Sequence, residues 1–277
     1  MPDYSTNKPR AKKALGQNFL VDPTVCPRIA AHADIEEIGV LEIGPGLGAL
    51  TKELCPLAKK VVAIEIDEDV LPTLRQTLTP FDNVDIVVGD ALKMDLGKLI
   101  RESFGDLPVA IVGNLPYYIT SPLLVRFLEE GLPIRSVTIL VQKEAAVRFC
   151  APPGSRDCGA ISALVWYRSE PRMLFDVKPG AFRPIPKVTS SAIHLRMREQ
   201  PAVAVPDEAF FFRMIRTSFG QRRKTLVNAL NGFEGWDKGA LNDLLAEMGW
   251  DTAVRAEALS LEDFATLCRE LWAHQKV

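Results

Sequence analysis

From about residue 38 the chain alternates short, largely apolar runs with stretches of helical spacing. The runs at 40–43, 61–65, 84–88, 109–112 and 137–141 predict strands, and those at 161–167 and 190–195 predict two more, the second ending the sheet. Helices are expected over 47–57 and 70–78. Ser121-Pro122 is expected to open another through residue 128, with Ser as N-cap, Pro at the first helical position and Gly131 as the stop. Strands that are apolar throughout are buried on both faces, which points to a mostly parallel sheet covered by helices. The predicted class is therefore α/β, a doubly wound Rossmann-like sheet.

A stretch with two prolines and small residues, 199–206, reads as a linker. Beyond it helical spacing dominates, over 207–219, 224–230, 238–248 and 261–273, the last preceded by a capping-box pair, Ser260 and Asp263. The expected organisation is a catalytic domain over 1–200 with a basic N-terminal arm, then a small helical domain over 207–277.

Composition adds exclusions. Hydrophobic residues at 47% and charged ones at 25% suit a folded globular chain rather than a disordered one. No run of eighteen apolar residues calls for a membrane span, and the polar, basic N-terminus lacks the apolar core of a secretory signal. The five cysteines form no CxxC pair and the three histidines lie far apart, so neither a disulfide framework nor a metal site is expected, and a reduced cytoplasmic setting fits. No feature requires an obligate oligomer, and a monomer is expected.

Net charge is −2, yet the basic residues are grouped. Lys178, Arg183, Lys187, Arg196 and Arg198 share an acid-free stretch, as do Arg213, Arg216, Arg222, Arg223 and Lys224, and Lys8, Arg10, Lys12 and Lys13 form a third group. Scattered solvated charge is one reading; a basic face for a polyanion is the other.

Glu42-Ile43-Gly44-Pro45-Gly46-Leu47-Gly48 follows the first strand and opens the next helix. Glycines there let the backbone turn sharply and approach a ligand. Glu65 ends the second strand twenty-one residues after Gly44, where a carboxylate can accept both hydroxyls of a ribose. An acid followed by GxGxG favours S-adenosylmethionine over a dinucleotide, without excluding the latter. Gly89-Asp90-Ala91 ends the third strand on the same sheet edge, so Asp90 either accepts from an adenine amine or caps a turn.

Asn114-Leu115-Pro116-Tyr117 follows the fourth strand. The lone pair of an exocyclic adenine amine is delocalised into the ring. Acceptance of its two N–H bonds by the Asn114 side-chain oxygen and the Leu115 carbonyl would localise it. Pro116 would fix the turn and Tyr117 stack on the base. Phe182, ahead of Arg183-Pro184-Ile185-Pro186-Lys187, either closes the opposite face of that base or belongs to the core. A target base must be extruded from any duplex to enter such a pocket, so single-stranded loops are cheaper targets.

With these residues in place, the chain resembles the ribosomal RNA adenine dimethyltransferase family, on its bacterial small-subunit branch. The resemblance runs nearly the whole length, through 15–20, 41–51, 89–91, 112–118, 182–188 and 219–224. It implies a class I methyltransferase sheet and dimethylation, from S-adenosyl-L-methionine, of two adjacent adenosines in the hairpin near the 3′ end of 16S rRNA, late in small-subunit assembly. It implies cofactor contacts from Gln17 and Asn18, which spacing alone reads as a helix cap, and from Leu20, alongside Gly44, Gly46, Glu65, Ile66, Asp90, Ala91 and Asn114. Arg183, Lys187, Arg222, Arg223 and Lys224 are the expected RNA contacts. The chain departs from many relatives at Cys158, where they carry an aromatic. Three competing readings are a DNA adenine methyltransferase, a non-catalytic assembly factor and a dinucleotide-dependent dehydrogenase. The first lacks an obvious recognition insert. The second leaves an intact acceptor motif unused, and the third finds no residue placed for hydride chemistry.

Overall fold

The computed structural model describes residues 11–221 and 223–274. They form two compact units, one of residues up to 146 with 171–197, the other of 147–170 with those from 198 onward. No helix among the described residues is long and apolar enough to cross a membrane.

In the first unit the strands are β1 (Phe19–Leu20), β2 (Gly39–Ile43), β3 (Lys60–Glu65), β4 (Val84–Val88), β5 (Val109–Asn114), β6 (Ser136–Gln142), β7 (Ser169–Val177, its first two residues in the second unit), β8 (Phe182–Arg183) and β9 (Ser190–Met197). Seven of them make one sheet in the order β4-β3-β2-β5-β6-β9-β7, and β1 pairs separately with β8. β2 runs parallel to both β3 and β5, with Glu42 beside Ala63 on one side and Val112 on the other. Strand order reverses at this pair, so the carboxyl ends of β2, β3 and β5 open on a crevice at the switch point, where open α/β sheets bind ligands. Every residue of β2 is buried, as expected of a central strand covered on both faces. β6 pairs antiparallel with β9, Gln142 facing Ser190.

The helices are α1 (Val25–Ala31), α2 (Thr51–Leu54), α3 (Leu71–Leu78), α4 (Leu96–Phe104), α5 (Tyr117–Glu129), α6 (Lys143–Cys150), α7 (Ala160–Arg168), α8 (Glu208–Phe219), α9 (Leu226–Leu230), α10 (Lys238–Glu247) and α11 (Leu261–Ala273). α7 to α11 belong to the second unit, and the boundary falls inside α6. The expected division at 200–207 is thus displaced, because 147–170 packs with the helices that follow rather than with the sheet. Tyr167 of α7 sits 5.0 Å from the Phe211 ring and donates to Glu208 Oε1 at 2.9 Å.

Four further expectations are corrected. Residues 161–167 form the helix α7, not a strand; four of them, Ser162 to Val165, are buried in succession, which erases the helical period from the sequence. β9 is not the end of the sheet, since β7 lies beyond it. β7 was hidden because Pro171 and its exposed polar residues mark an edge strand, not an apolar run. The helix expected at Ser121-Pro122 begins at Tyr117, after Pro116, and holds Pro122 in its interior. Of the helix expected over 47–57 only α2 is α-helical, because the glycine-rich turn extends through Gly48, at φ +83°. The capping box at Ser260 and Asp263 forms as expected, the hydroxyl accepting from the Asp263 N–H at 3.1 Å.

Candidate active site

At the end of β2 the chain turns through Gly44 and Gly46 at φ +71° and +56°, a region that side chains rarely enter. Gly44 N–H donates to the Ile64 carbonyl at 2.9 Å, which holds the turn against β3. A Cβ at Gly46 would stand 3.1 Å from the Phe19 ring. At the end of β3, Glu65 Oε2 accepts from the Gly46 N–H at 3.0 Å and Oε1 from the Asp67 N–H at 2.8 Å. Burial raises the Glu65 pKa, and those backbone donors oppose the shift. Ile66, next in sequence, is exposed at the cavity rim.

Asp90 stands two residues beyond the end of the neighbouring strand, β4. Its Oδ1 accepts from the Leu92 N–H at 2.9 Å, so it does cap a turn, and it also lines the cavity. Arg126 of α5 holds that turn from behind, donating to the carbonyls of Ala91 at 2.6 Å and Met94 at 3.0 Å.

The acceptor motif continues from β5. A Cβ at Gly113 would meet the Ile43 carbonyl oxygen at 2.7 Å, so only glycine lets β5 lie this close to β2. Asn114 then projects at the strand end, and its Nδ2 donates to the Asn18 carbonyl at 3.1 Å. That bond leaves the amide oxygen available as an acceptor. Pro116, at ψ 135°, breaks the chain direction before Tyr117 starts α5. The Tyr117 hydroxyl pairs with that of Ser190 at 3.0 Å, which fixes the ring. Phe182 is 1% exposed, belongs to the main apolar core and also lines the cavity, so both of its sequence readings are compatible with its position.

One cavity is lined by Gln17, Asn18, Leu20, Gly44, Gly46, Glu65, Ile66, Asp90, Ala91, Asn114, Leu115, Pro116, Tyr117 and Phe182. Residues as far apart in sequence as Gln17 and Phe182 are thereby assembled as two adjoining ends, one carrying Glu65 and Asp90, the other Asn114 and Tyr117. The expected RNA contacts are elsewhere. Arg183 is exposed, with its guanidinium donating to the Phe182 carbonyl at 2.8 Å, and Lys187 is exposed on the same loop. Arg223 and Lys224 are exposed on the second unit, while Arg222 lies outside the described residues, as do Lys8 and Arg10.

The family model described as "Ribosomal RNA adenine dimethylase" matches residues 8–271. The chain belongs to that family. A protein named ribosomal RNA small subunit methyltransferase A from Bacillus pumilus is 47% identical over 265 residues, 94% of this chain and 91% of that one. Its namesake from Bacillus mycoides is 47% identical over 270 residues, 95% and 92%. Among solved structures, a dimethyladenosine transferase from Plasmodium falciparum superposes with a TM-score of 0.78 at 25% identity, over 92% of this chain and 98% of that one. The 23S rRNA methyltransferase ErmE gives 0.69 at 27% identity, over 92% and 99%. Family and fold together make this chain an rRNA adenine dimethyltransferase with a class I methyltransferase sheet.

Sequence reasoning passed over Glu42 as a site residue, although it begins the glycine motif. Glu42 is 1% exposed, lines the cavity, and its Oε2 has no hydrogen-bond partner. An orphaned acceptor in the wall fits a cavity that takes a ligand with a donor of its own, as the ammonium end of S-adenosylmethionine provides. Burial pushes the Glu42 pKa up to about 8, with Thr51 opposing and the Glu65 carboxylate reinforcing the shift. Below pH 4.5 the group is protonated in both the folded and the unfolded chain. Between there and about 8 the unfolded chain loses its proton and the folded one keeps it, so stability falls with rising pH across that window. Glu42→Gln should flatten this decline in urea denaturation at pH 5 and pH 8, the variant gaining roughly 1–4 kcal/mol on the wild type at the higher pH. An unchanged slope would show that Glu42 titrates normally.

Proposed function

We propose that this protein transfers methyl groups from S-adenosyl-L-methionine to the exocyclic amines of two adjacent adenosines in the hairpin near the 3′ end of 16S rRNA, on the small ribosomal subunit or its precursor. The reading rests above all on the Asn114 amide, tied through Nδ2 to Asn18 so that its oxygen serves as an acceptor beside the Leu115 carbonyl. Two acceptors on the amine N–H bonds turn its lone pair out of conjugation. Tyr117, held through Ser190, stacks on the base and contributes about 1–3 kcal/mol. Phe182 bounds the cavity from β8.

The bound cofactor supplies an electrophilic methyl group on its sulfonium. Glu65 would hold the ribose hydroxyls of that group and Asp90 its adenine amine, at the end of the cavity adjoining Asn114. The amine proton would leave to water once the nitrogen carries the added methyl, so no strong general base is needed. Rate enhancement comes mainly from alignment of the two reactants.

Arg183 and Lys187 on one unit, and Arg222, Arg223 and Lys224 on the other, contact phosphates and make RNA binding salt-dependent. The test is methyl transfer from labelled S-adenosylmethionine to small subunits that lack the modification, followed by nucleoside mass spectrometry. Dimethyladenosine at two adjacent positions is expected. Transfer to DNA or large-subunit RNA instead would overturn the substrate, and cofactor binding without transfer would point to an assembly factor.

A further inference from the structure

Residues 12–20 cross the cofactor end of the cavity, and six of them, from Leu15 to Leu20, line it. A short antiparallel pair, β1 with β8, secures one end of this segment. The other end is secured by charge. Asp67, two residues beyond Glu65, is 2% exposed despite its carboxylate. Its Oδ1 accepts from Lys12 Nζ at 2.6 Å and from the Asp69 N–H at 3.1 Å, and its Oδ2 accepts from Gln17 Nε2 at 2.8 Å. Lys12 Nζ also stands 2.6 Å from Asp69 Oδ2. The Lys12 N–H donates to Gln17 Oε1 at 2.8 Å, which closes a ring of Lys12, Gln17 and Asp67.

This ring touches both ends of the reaction site. On one side the Asp67 N–H donates to Glu65 Oε1. On the other, Asn18 follows Gln17 directly; its side chain donates to the Gly16 carbonyl at 3.0 Å and its own carbonyl receives Asn114 Nδ2. Gly16, at φ +58°, lies against Tyr118, where an added Cβ would stand 3.2 Å from the ring. The segment therefore has little freedom to shift without moving the Asn18 carbonyl.

We propose that Lys12 and Asp67 are positioning residues for methyl transfer: their ion pair latches segment 12–20 across the cofactor cavity and, through Gln17 and Asn18, sets the orientation of the Asn114 amide. Neither residue contacts the reacting atoms. An ion pair is required because the segment is short of apolar anchors at this end, with Lys12 half-exposed and Ala14 exposed. Asp67 has a folded pKa below the ordinary carboxylate value; burial works against this, and the bonds from Lys12 and Gln17 outweigh it. The latch thus remains charged at neutral pH.

The inference rests on the cofactor assignment made above, and the test separates the two. Amide hydrogen exchange of the cofactor-free Lys12→Met variant should show residues 12–20 exchanging roughly tenfold faster than in the wild type, with β2 to β5 unchanged. Calorimetric titration with S-adenosylhomocysteine should show affinity reduced roughly tenfold, the size of one charge-assisted hydrogen bond. At saturating cofactor kcat should also fall, since Asn114 loses its tether, and Lys12→Arg should restore exchange, affinity and kcat together. If Lys12→Met matches the wild type in exchange over 12–20 and in affinity, the latch is overturned while the cofactor assignment stands. If the wild type itself does not bind S-adenosylhomocysteine, the cofactor assignment fails, and with it this proposal.

Discussion

Asn114→Ala is expected to lower kcat for methyl transfer by about 10²–10³-fold, the loss that follows removal of one preorganised polar group aimed at a reacting centre. On the proposed mechanism the adenine amine is unreactive until its lone pair leaves conjugation, and Asn114 would supply the side-chain amide oxygen that accepts from it. The Leu115 carbonyl would remain, so residual activity above background is expected. Cofactor affinity should fall by no more than about tenfold, because Glu65 and Asp90 are untouched and one neutral amide is removed, with its tether to the Asn18 carbonyl. Asn114→Asp makes the argument sharper. It keeps an acceptor oxygen but turns the Asn18 contact into an oxygen facing an oxygen, so it should also be strongly impaired. Single-turnover transfer with calorimetric cofactor titration checks both variants. Turnover of Asn114→Ala comparable with the wild type would remove Asn114 from the chemistry.

Phe182→Ala should destabilise the protein by about 3–5 kcal/mol, the usual cost of truncating a buried aromatic. Phe182 is 1% exposed and joins the main core from a two-residue strand whose pairing with β1 has no further residues to support it. Loss of activity in that variant would be ambiguous, since unfolding alone could cause it. Phe182→Leu separates packing from stacking. It retains most of the apolar volume and should cost about 1.5 kcal/mol or less, but it offers no π face to a base. If Phe182 closes the base pocket, Phe182→Leu should remain folded in urea titration and lose roughly tenfold in kcat/KM for RNA. Normal kcat/KM in a folded Phe182→Leu would make it a core residue alone.

Much of the site was legible because its parts are local. A glycine cluster after a strand, an acid at the next strand end and an Asn-Leu-Pro-Tyr run each occupy a few consecutive residues, and a parallel sheet delivers consecutive strand ends to one edge. Continuous apolar runs likewise placed β2 to β6 and β9. Where the reading failed, burial had erased the pattern or exposure had diluted it. Helix α7 is apolar on nearly all sides because other helices surround it, and edge strand β7 is polar because one side faces solvent.

By itself, then, the order of residues determined the strand succession, the glycine turn and the identity of the polar groups available for chemistry. Only the folded chain decided which of these groups are held and by what. Asn114 and Asn18 are 96 positions apart and Lys12 and Asp67 are 55, separations over which no local periodicity carries information. The second status of Glu42, as a buried acid with its Oε2 unpartnered, is also a tertiary fact, since it depends on what the surrounding strands exclude. Hydrogen-bond direction and desolvation are set by neighbours in space, and sequence reports neighbours along the chain.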